Sequence, residues 1–264
     1  MKIFSVIAAT AAILAVLSPS SVLAATTVTP ISQVQSGSLI RGTTFAAVYY
    51  LGRDGFRYVF PNDKTYFTWY ANFDSVKFVS DADLAKIQIG GNVTYRPGSR
   101  MVKINSDPKV YAVDENGALR WMMTEEIAIG TYGASWNTMI DDVPDAFFGN
   151  YRAGSNVESA ADFVPADVSA STPDINDDKR LKAATVLNIS DDSFDNASVT
   201  IKAGSPVRWF NNGASKHTAT ATDLSWGTGT ISAGGNFARY FNEAGTYTFF
   251  CSYHPEMKAT VIVE

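Results

Sequence analysis

The stretch that decides the fold of this chain lies near the C-terminus, where residues 246–257 read Thr-Tyr-Thr-Phe-Phe-Cys-Ser-Tyr-His-Pro-Glu-Met. In a β-strand, successive side chains point to opposite faces, so Tyr247, Phe249 and Cys251 share one face. The sulfur of Cys251 is therefore predicted at the end of the strand, beside a hydrophobic core.

Metal-binding side chains follow one another through this stretch. Cys251, His254 and Met257 lie at intervals of three residues, and the loop turns back at Pro255, so their side chains can converge on one point. His217 can supply the remaining ligand from the end of a neighbouring strand. Two imidazoles, one thiolate and a weak axial thioether are the ligand set that suits copper as it cycles between its two oxidation states.

Residue counts favour the same interpretation. The chain has one cysteine and two histidines, and all three lie in this region. Taken singly, a lone cysteine is often a small buried hydrophobe, a histidine is usually a surface or packed residue, and methionine commonly fills core gaps. Their coincidence in one motif with suitable spacing predicts a copper site.

Short strands separated by turn residues surround the motif, without helical stretches between them. This pattern indicates an antiparallel β-sandwich. The predicted strands cover residues 199–201, 207–209, 237–241, 246–251 and 260–263.

Residues 181–264 resemble the cupredoxins, the blue-copper proteins. The resemblance rests on the Cys-x-x-His-x-x-Met loop from Cys251 to Met257, closest in length to that of amicyanins, on Trp209–Asn212 ahead of His217, and on Ala244–Tyr247 ahead of Cys251. It implies a Greek-key β-sandwich that holds one type 1 copper ion.

By the same resemblance, His217, Cys251 and His254 are the strong ligands and Met257 the axial ligand. Electrons would enter and leave through His254, which is expected to be partly exposed. Thr218 departs from the pattern, since plastocyanins and azurins place there an asparagine that braces the loop. The hydrogen bonds that tune the reduction potential are therefore expected to differ.

Shuttling of single electrons between redox protein partners is the function that the resemblance implies, and copper storage or delivery is the alternative. The chain is not expected to be an enzyme. Multicopper oxidases and copper nitrite reductases need more than two histidines. A Ser-His-Asp or Cys-His hydrolase needs a histidine that is not committed to metal.

The N-terminus carries the features of a secretory signal. Met1-Lys2 precede an apolar run over residues 3–17, and small residues follow up to Ala24, which predicts a cleaved signal peptide over residues 1–24. A membrane anchor is the alternative, but the run is shorter than the ~20 residues of a spanning helix. We expect an exported protein, periplasmic, cell-surface or extracellular, with no membrane span after cleavage.

Charge and cysteine use restrict the partners. A formal charge of −5 and a pI near 5.1 argue against nucleic acid or an anionic membrane surface, which both require a basic face. Exported proteins generally use cysteines in pairs, so the single Cys251 is expected to be buried, paired with another chain or bound to metal.

Residues 37–157 contain a weak internal repeat. Asp54-Gly55 and Asn116-Gly117 both lie between apolar, aromatic runs, and such pairs predict β-hairpins because they tolerate positive φ. Helix-start signatures follow at residues 80–83 and 124–126. We therefore predict a smaller α+β domain ahead of the sandwich, made of two hairpin-plus-helix units that share one aromatic core. That core is expected to contain Tyr58, Phe60, Trp69, Trp121 and Trp136.

The role of this repeat domain follows less directly from its residues. It has no histidine and no cysteine, so a transition-metal or thiol site is not expected. A glycosidase pair among Asp141, Asp142 and Asp145 is conceivable, but runs of aspartate are more often solvated loops. The domain resembles uncharacterised aromatic-rich repeat modules of exported bacterial proteins. We expect a binding or display module that docks the copper domain to a cell-surface polymer or redox partner.

Residues 158–180 are rich in alanine, serine, proline and aspartate and show no apolar periodicity. This composition predicts a stiffened linker that holds the flanking domains apart with some freedom of orientation. The predicted organisation is a signal peptide (1–24), a repeat domain (37–157), a linker (158–180) and a mainly β copper domain (181–264).

Overall fold

A computed structural model describes residues 27–264. The expected signal peptide, residues 1–24, lies outside the described part of the chain. Among residues 27–264, none of the helices is both long and apolar enough to cross a membrane.

The first part of the repeat domain is a five-stranded sheet in the order β4-β1-β2-β3-β5. β1, β2 and β3 form an antiparallel meander, and β4 and β5 add in parallel to its two edges. A helix precedes each of the two added strands. The elements are β1 (Leu39–Arg41), β2 (Val48–Leu51), β3 (Arg57–Val59), α1 (Asp63–Trp69), β4 (Val76–Phe78), α2 (Asp81–Ala85) and β5 (Ile89–Asn92).

The second part repeats this topology strand for strand. Its sheet has the order β9-β6-β7-β8-β10, again an antiparallel meander with a parallel strand added to each edge. The internal repeat is therefore structural. The elements are β6 (Met101–Ile104), β7 (Asp107–Asp114), β8 (Ala118–Trp121), α3 (Glu125–Tyr132), β9 (Ile140–Asp142), α4 (Asp145–Phe148) and β10 (Arg152–Ala153).

Both predicted hairpin turns and both predicted helix starts are present. Gly55 lies at φ 89° and Asn116 at φ 54°, in the left-handed region that these turns need. Ser80 and Thr124 cap α2 and α3. The two helices are not equivalent, however, because α2 is the second helix of its unit and α3 the first of its own. The counterpart of α3 is α1, capped by Asn62, which the sequence analysis missed.

The expectation of one shared aromatic core was wrong. Tyr58, Phe60 and Trp69 pack in the first unit, whereas Trp136 packs with Met101 and other residues of the second. Trp121 is half-buried and lies under the ammonium group of Lys109. Each sheet buries its own face, because each unit has its own helices to cover it.

The expectation that residues 158–180 form a stiffened linker holding the flanking domains apart was also wrong. The segment contains α5 (Pro165–Ser171) and α6 (Ile175–Asp178). Phe163 is buried in the core of the second unit, and Ile175 is buried in the core of the first. The apolar residues of the segment show no periodicity, yet Phe163 and Ile175 each complete the core of one repeat unit. Residues 158–180 are therefore part of the folded structure of both units.

Polar side chains of α6 also hold both hairpin turns. Asn176 accepts a hydrogen bond from the backbone N–H of Arg53 at 2.8 Å. The carboxylate of Asp178 accepts one from the backbone N–H of Asn116, also at 2.8 Å. Asn176 and Asp178 are both buried, so these bonds are shielded from water.

The C-terminal part is a sandwich of a three-stranded sheet, β11-β13-β15, and a four-stranded sheet, β12-β17-β16-β14. The sandwich is mixed rather than purely antiparallel as expected, because β11 pairs with β13 and β12 with β17 in parallel through crossover connections. The edge strands β11 and β14 were not predicted from the sequence. The elements are β11 (Thr185–Ile189), β12 (Ser198–Ile201), β13 (Ser205–Asn211), β14 (Thr220–Ala221), β15 (Asn236–Phe241), β16 (Gly245–Phe250) and β17 (Lys258–Val263).

The sandwich packs directly against the first repeat unit. The hydroxyl of Tyr240 donates to the buried carboxylate of Asp54 at 2.9 Å, and Tyr58 donates to the same oxygen at 2.6 Å. The backbone N–H of Ala238, on edge strand β15, donates to the side chain of Gln88 at 2.6 Å. Hydrogen bonds from both sides of the junction therefore fix the orientation of the two domains.

Candidate metal centre

Cys251 follows the last residue of β16, as the strand alternation predicts. It is fully buried, and Phe249 on the same face is buried against Trp209 in an edge-to-face contact with ring centroids 5.6 Å apart. The thiol therefore lies at the end of the sandwich core, in the same cluster as the packed rings of Phe249 and Trp209.

Both histidines meet this thiol. The Nδ1 atoms of His217 and His254 each lie 3.7 Å from the sulfur of Cys251, and the two rings lie 4.9 Å apart between centroids. The three ligand atoms lie within 4.8 Å of one another. Among residues 27–264, this is the one group of histidine, cysteine or carboxylate side chains with metal-binding geometry.

The spacing fits a first-row metal ion. With a metal–sulfur bond of about 2.3 Å and a metal–nitrogen bond of about 2.0 Å, a trigonal arrangement separates sulfur from nitrogen by about 3.7 Å. Both sulfur–nitrogen distances in the structure have this value. A soft thiolate with two imidazoles is the donor set of a copper site.

Met257 closes the same loop. Its backbone N–H donates to the carbonyl of His254, and its carbonyl accepts from the N–H of Cys251. Its side chain is buried, whereas His254 is partly exposed, as the family pattern implied.

The loop that carries His217 is fixed by a buried asparagine. The side chain of Asn211, at the end of β13, donates to the carbonyls of Ser215 and Ile231 and accepts from the N–H of Gly213. No sequence pattern predicted this role for Asn211. A buried amide ahead of a ligand loop is the signal that indicates it, because a buried side-chain amide must find partners.

Thr218 ties the two ligand loops together. Its hydroxyl accepts from the backbone N–H of Ser252 at 2.7 Å, and its own N–H donates to the sulfur of Cys251 at 3.4 Å. The hydroxyl of Thr220 lies within hydrogen-bonding distance of both Thr218 and Ser252. The threonine therefore braces the loop at the position where the family pattern has asparagine.

Burial prepares His217 to bind a metal. Desolvation, and next the neighbouring His254, lower the pKa of His217, whereas Asp191 raises it by a smaller amount. A neutral imidazole has a free nitrogen lone pair to donate. The Nε2 atom lies 3.9 Å from the carboxylate of Asp191, so Nδ1 remains directed at the sulfur.

Two of the three aspartates considered as a glycosidase pair have cationic partners. Asp141 lies on β9 and forms ion pairs with Arg100 at 2.6 Å and Lys64 at 3.5 Å. Asp142 pairs with Lys103 at 3.2 Å. Asp141 is thus a structural ion-pair residue rather than part of a solvated loop.

Comparison with known proteins points to one family. A family model described as a cupredoxin-like domain matches residues 167–263. An amicyanin of Paracoccus versutus is 38% identical over 87 residues, which cover 31% of this chain and 65% of the relative. A plastocyanin of Scenedesmus fuscus is 36% identical over 84 residues, which cover 27% of this chain and 86% of the relative. The chain belongs to the cupredoxin family.

A solved structure of the Paracoccus versutus amicyanin shares 35% identity and covers 31% of this chain and 81% of its own, with a TM-score of 0.29. This chain spans 65% of the curated amicyanin that it matches. The cofactor of the cupredoxin domain is one copper ion, and His217, Cys251 and His254 form a site that suits it, with Met257 in the same loop.

Proposed function

We propose that this protein is an exported electron carrier in which His217, Cys251 and His254 are the strong copper ligands and Met257 is the axial ligand. The observation that supports it best is the pair of Nδ1 atoms, each 3.7 Å from the single thiol. The bound ion would supply the one-electron couple. The protein holds the donors in one geometry for both oxidation states, so little has to move when the electron transfers.

The burial pattern favours a carrier over a storage or delivery protein. Cys251 and His217 are fully buried and Met257 nearly so, whereas His254 is partly exposed. Copper held so deep exchanges slowly, and the exposed imidazole offers a redox partner protein a contact point. Titration with a copper chelator separates the two functions, because a delivery protein loses its copper at chelator concentrations that leave a carrier loaded.

Copper loading tests the proposal directly. We expect the chain from Ala25 onward to develop a strong visible absorption band with Cu(II), and Cys251→Ala to abolish it. Met257→Leu should keep the band, because the thiolate is retained, and should raise the reduction potential, because a donor to Cu(II) is lost. Met123→Leu is the matched control, since Met123 is exposed in the repeat domain. A colourless loaded protein would contradict the proposal.

The repeat domain, in this proposal, docks the cupredoxin domain to a cell-surface polymer outside the cytoplasm. Its hydrogen bonds to the sandwich support a shared role, since they fix the copper site relative to any surface that the repeats bind. Binding experiments need the whole chain, because residues 158–180 complete the cores of both repeat units.

A further inference from the structure

The two repeat units each carry a groove at the same place. The groove of the first unit, of about 470 Å³, lies where β2 and β3 meet the start of α1. The groove of the second unit, of about 290 Å³, lies where β7 and β8 meet the start of α3.

Nine residues of each groove correspond in pairs, whereas Phe73, Asn92 and Phe147 in the first groove and Trp136 in the second have no counterpart in the other lining. Val48 and Val110 occupy the same position in their units, and so do Phe60 and Met122. Every such pair is 62 residues apart in the sequence. The remaining pairs are Ala46 and Pro108, Ala47 and Lys109, Val59 and Trp121, Pro61 and Met123, Asn62 and Thr124, Asp63 and Glu125, and Tyr66 and Ala128. A feature present twice at equivalent positions suits a ligand that itself repeats.

Aromatic rings are available in both grooves. Phe73 is 50% exposed and stacks on Tyr66 with ring centroids 4.4 Å apart, so its outer face is open to the first groove. Trp121 and Trp136 line the second groove and are half-buried. Exposed rings backed by packed ones offer flat apolar contact at low entropic cost.

The charges of the grooves complement an uncharged ligand. The first groove is lined by one carboxylate, Asp63, and by no lysine, arginine or histidine. In the second groove, Lys109 and Glu125 offset each other. An anionic polymer would meet uncompensated repulsion in the first groove, and a cationic one would find no excess of acid in the second.

We propose that the paired grooves bind successive segments of a neutral polysaccharide, with sugar rings stacked on Phe73 in the first groove and on Trp136 in the second. This inference rests on the docking role proposed above and names the ligand class. Each groove is small and binds weakly, so the second groove raises the affinity for a polymer by making the next contact intramolecular.

The test uses the copper-loaded chain from Ala25 onward, with cellohexaose and the hexamer of N-acetylglucosamine as probes, followed by calorimetry and tryptophan fluorescence. We expect at least one of the two hexasaccharides to bind. Phe73→Ala and Trp136→Ala should each weaken that binding about tenfold or more, and the double variant should abolish it. Ile89→Ala is the matched control, because Ile89 is 59% exposed in the same domain and lines neither groove.

Thermal unfolding of every variant shows whether the fold is retained. Absence of binding to both hexasaccharides, binding unchanged by the groove variants, or binding only to charged polymers or to proteins would overturn the inference. The visible copper band reports on the electron-transfer proposal separately. A normal visible copper band without sugar binding would overturn this inference alone. Sugar binding by a colourless protein would overturn only the copper proposal.

Discussion

At the scale of single residues, Thr218 joins the two loops that carry the candidate ligands through two separate groups, its hydroxyl and its backbone N–H. Its hydroxyl is the acceptor that joins the Ser252 backbone to the loop of His217. Its backbone N–H reaches the sulfur of Cys251 without any contribution from the side chain. The two functions of the residue can therefore be separated by substitution.

We expect Thr218→Val to destabilise the metal-free protein by about 1–2 kcal/mol, because the Ser252 N–H loses its acceptor in a partly buried place. The visible copper band should remain, since the N–H to sulfur bond belongs to the backbone. Urea unfolding and absorption spectra measure the two effects. Thr218→Ser is the control and should restore most of the stability. Equal stability of the valine variant and the wild type would show that the brace has no energetic role.

At the scale of elements, α6 decides whether residues 158–180 are a spacer or part of the fold. A spacer tolerates truncation of its apolar side chains, whereas a core residue leaves a cavity. Ile175 is fully buried and Val164, in the same segment, is 44% exposed. The two residues therefore form a matched pair.

Ile175→Ala should lower the free energy of unfolding by about 2–4 kcal/mol through the cavity that it leaves in the first unit. Val164→Ala should change it by less than about 0.5 kcal/mol. Urea unfolding of the whole chain measures both. If Ile175→Ala had as little effect as Val164→Ala, the segment would act as a spacer after all.

Asp178 gives the repeat domain a pH dependence. Burial, the largest cause, raises the pKa of Asp178 to about 6 from its ordinary value of 3.8, against the opposing hydrogen bond from Asn116. Because the folded state favours the protonated form, the contribution of Asp178 to stability is complete below pH 4. It is lost as the pH rises from about 4 to about 6.

Asp178→Asn should therefore raise stability at pH 7, by up to about 2–3 kcal/mol for a shift of about two pKa units. Its amide oxygen can still accept from the N–H of Asn116. Below pH 4 the variant and the wild type should be nearly equal. Urea unfolding between pH 3.5 and pH 7.5, buffered at constant ionic strength, measures the difference, and an advantage of the variant confined to acid would contradict this assignment.

At the scale of the whole molecule, the junction between the repeats and the sandwich couples two domains. Tyr240 and Gln88 supply the side chains of two of its hydrogen bonds. The backbone N–H of Ala184 also donates to the carbonyl of Arg53 at 3.0 Å, and the side chain of Asn236 to the carbonyl of Lys86 at 3.4 Å. Copper bound to the sandwich can stabilise the repeat domain only if contacts at this junction make the two domains unfold together.

We expect the wild type to lose its visible copper band and its far-ultraviolet circular dichroism in one thermal transition. The double variant Tyr240→Phe with Gln88→Ala should separate the two midpoints by several degrees, because each lost bond costs about 1 kcal/mol. Lys258→Ala, which removes an exposed side chain of the sandwich, is the control. Separate transitions already present in the wild type would show that the domains unfold independently.

The sequence by itself determined the sandwich strands around the motif, the hairpin turns and the helix caps of α2 and α3, because these depend on neighbours along the chain. It also predicted that Cys251 and His254 lie close together, since only two residues separate them in the chain. Only the tertiary structure decided that His217 directs Nδ1 at the sulfur, and that Thr218 replaces the expected asparagine brace.

The same difference between local patterns and long-range contacts explains which structural predictions were wrong. Ile175 has polar neighbours, and the buried Phe163 is followed directly by the exposed Val164, so no local pattern distinguishes a core residue from a linker residue. The edge strands β11 and β14 were also not predicted, because an edge strand is defined by its pairing with a strand distant in the sequence. Local propensity is a property of the sequence, whereas burial is a property of contacts between residues far apart in it, and only the folded chain brings those together.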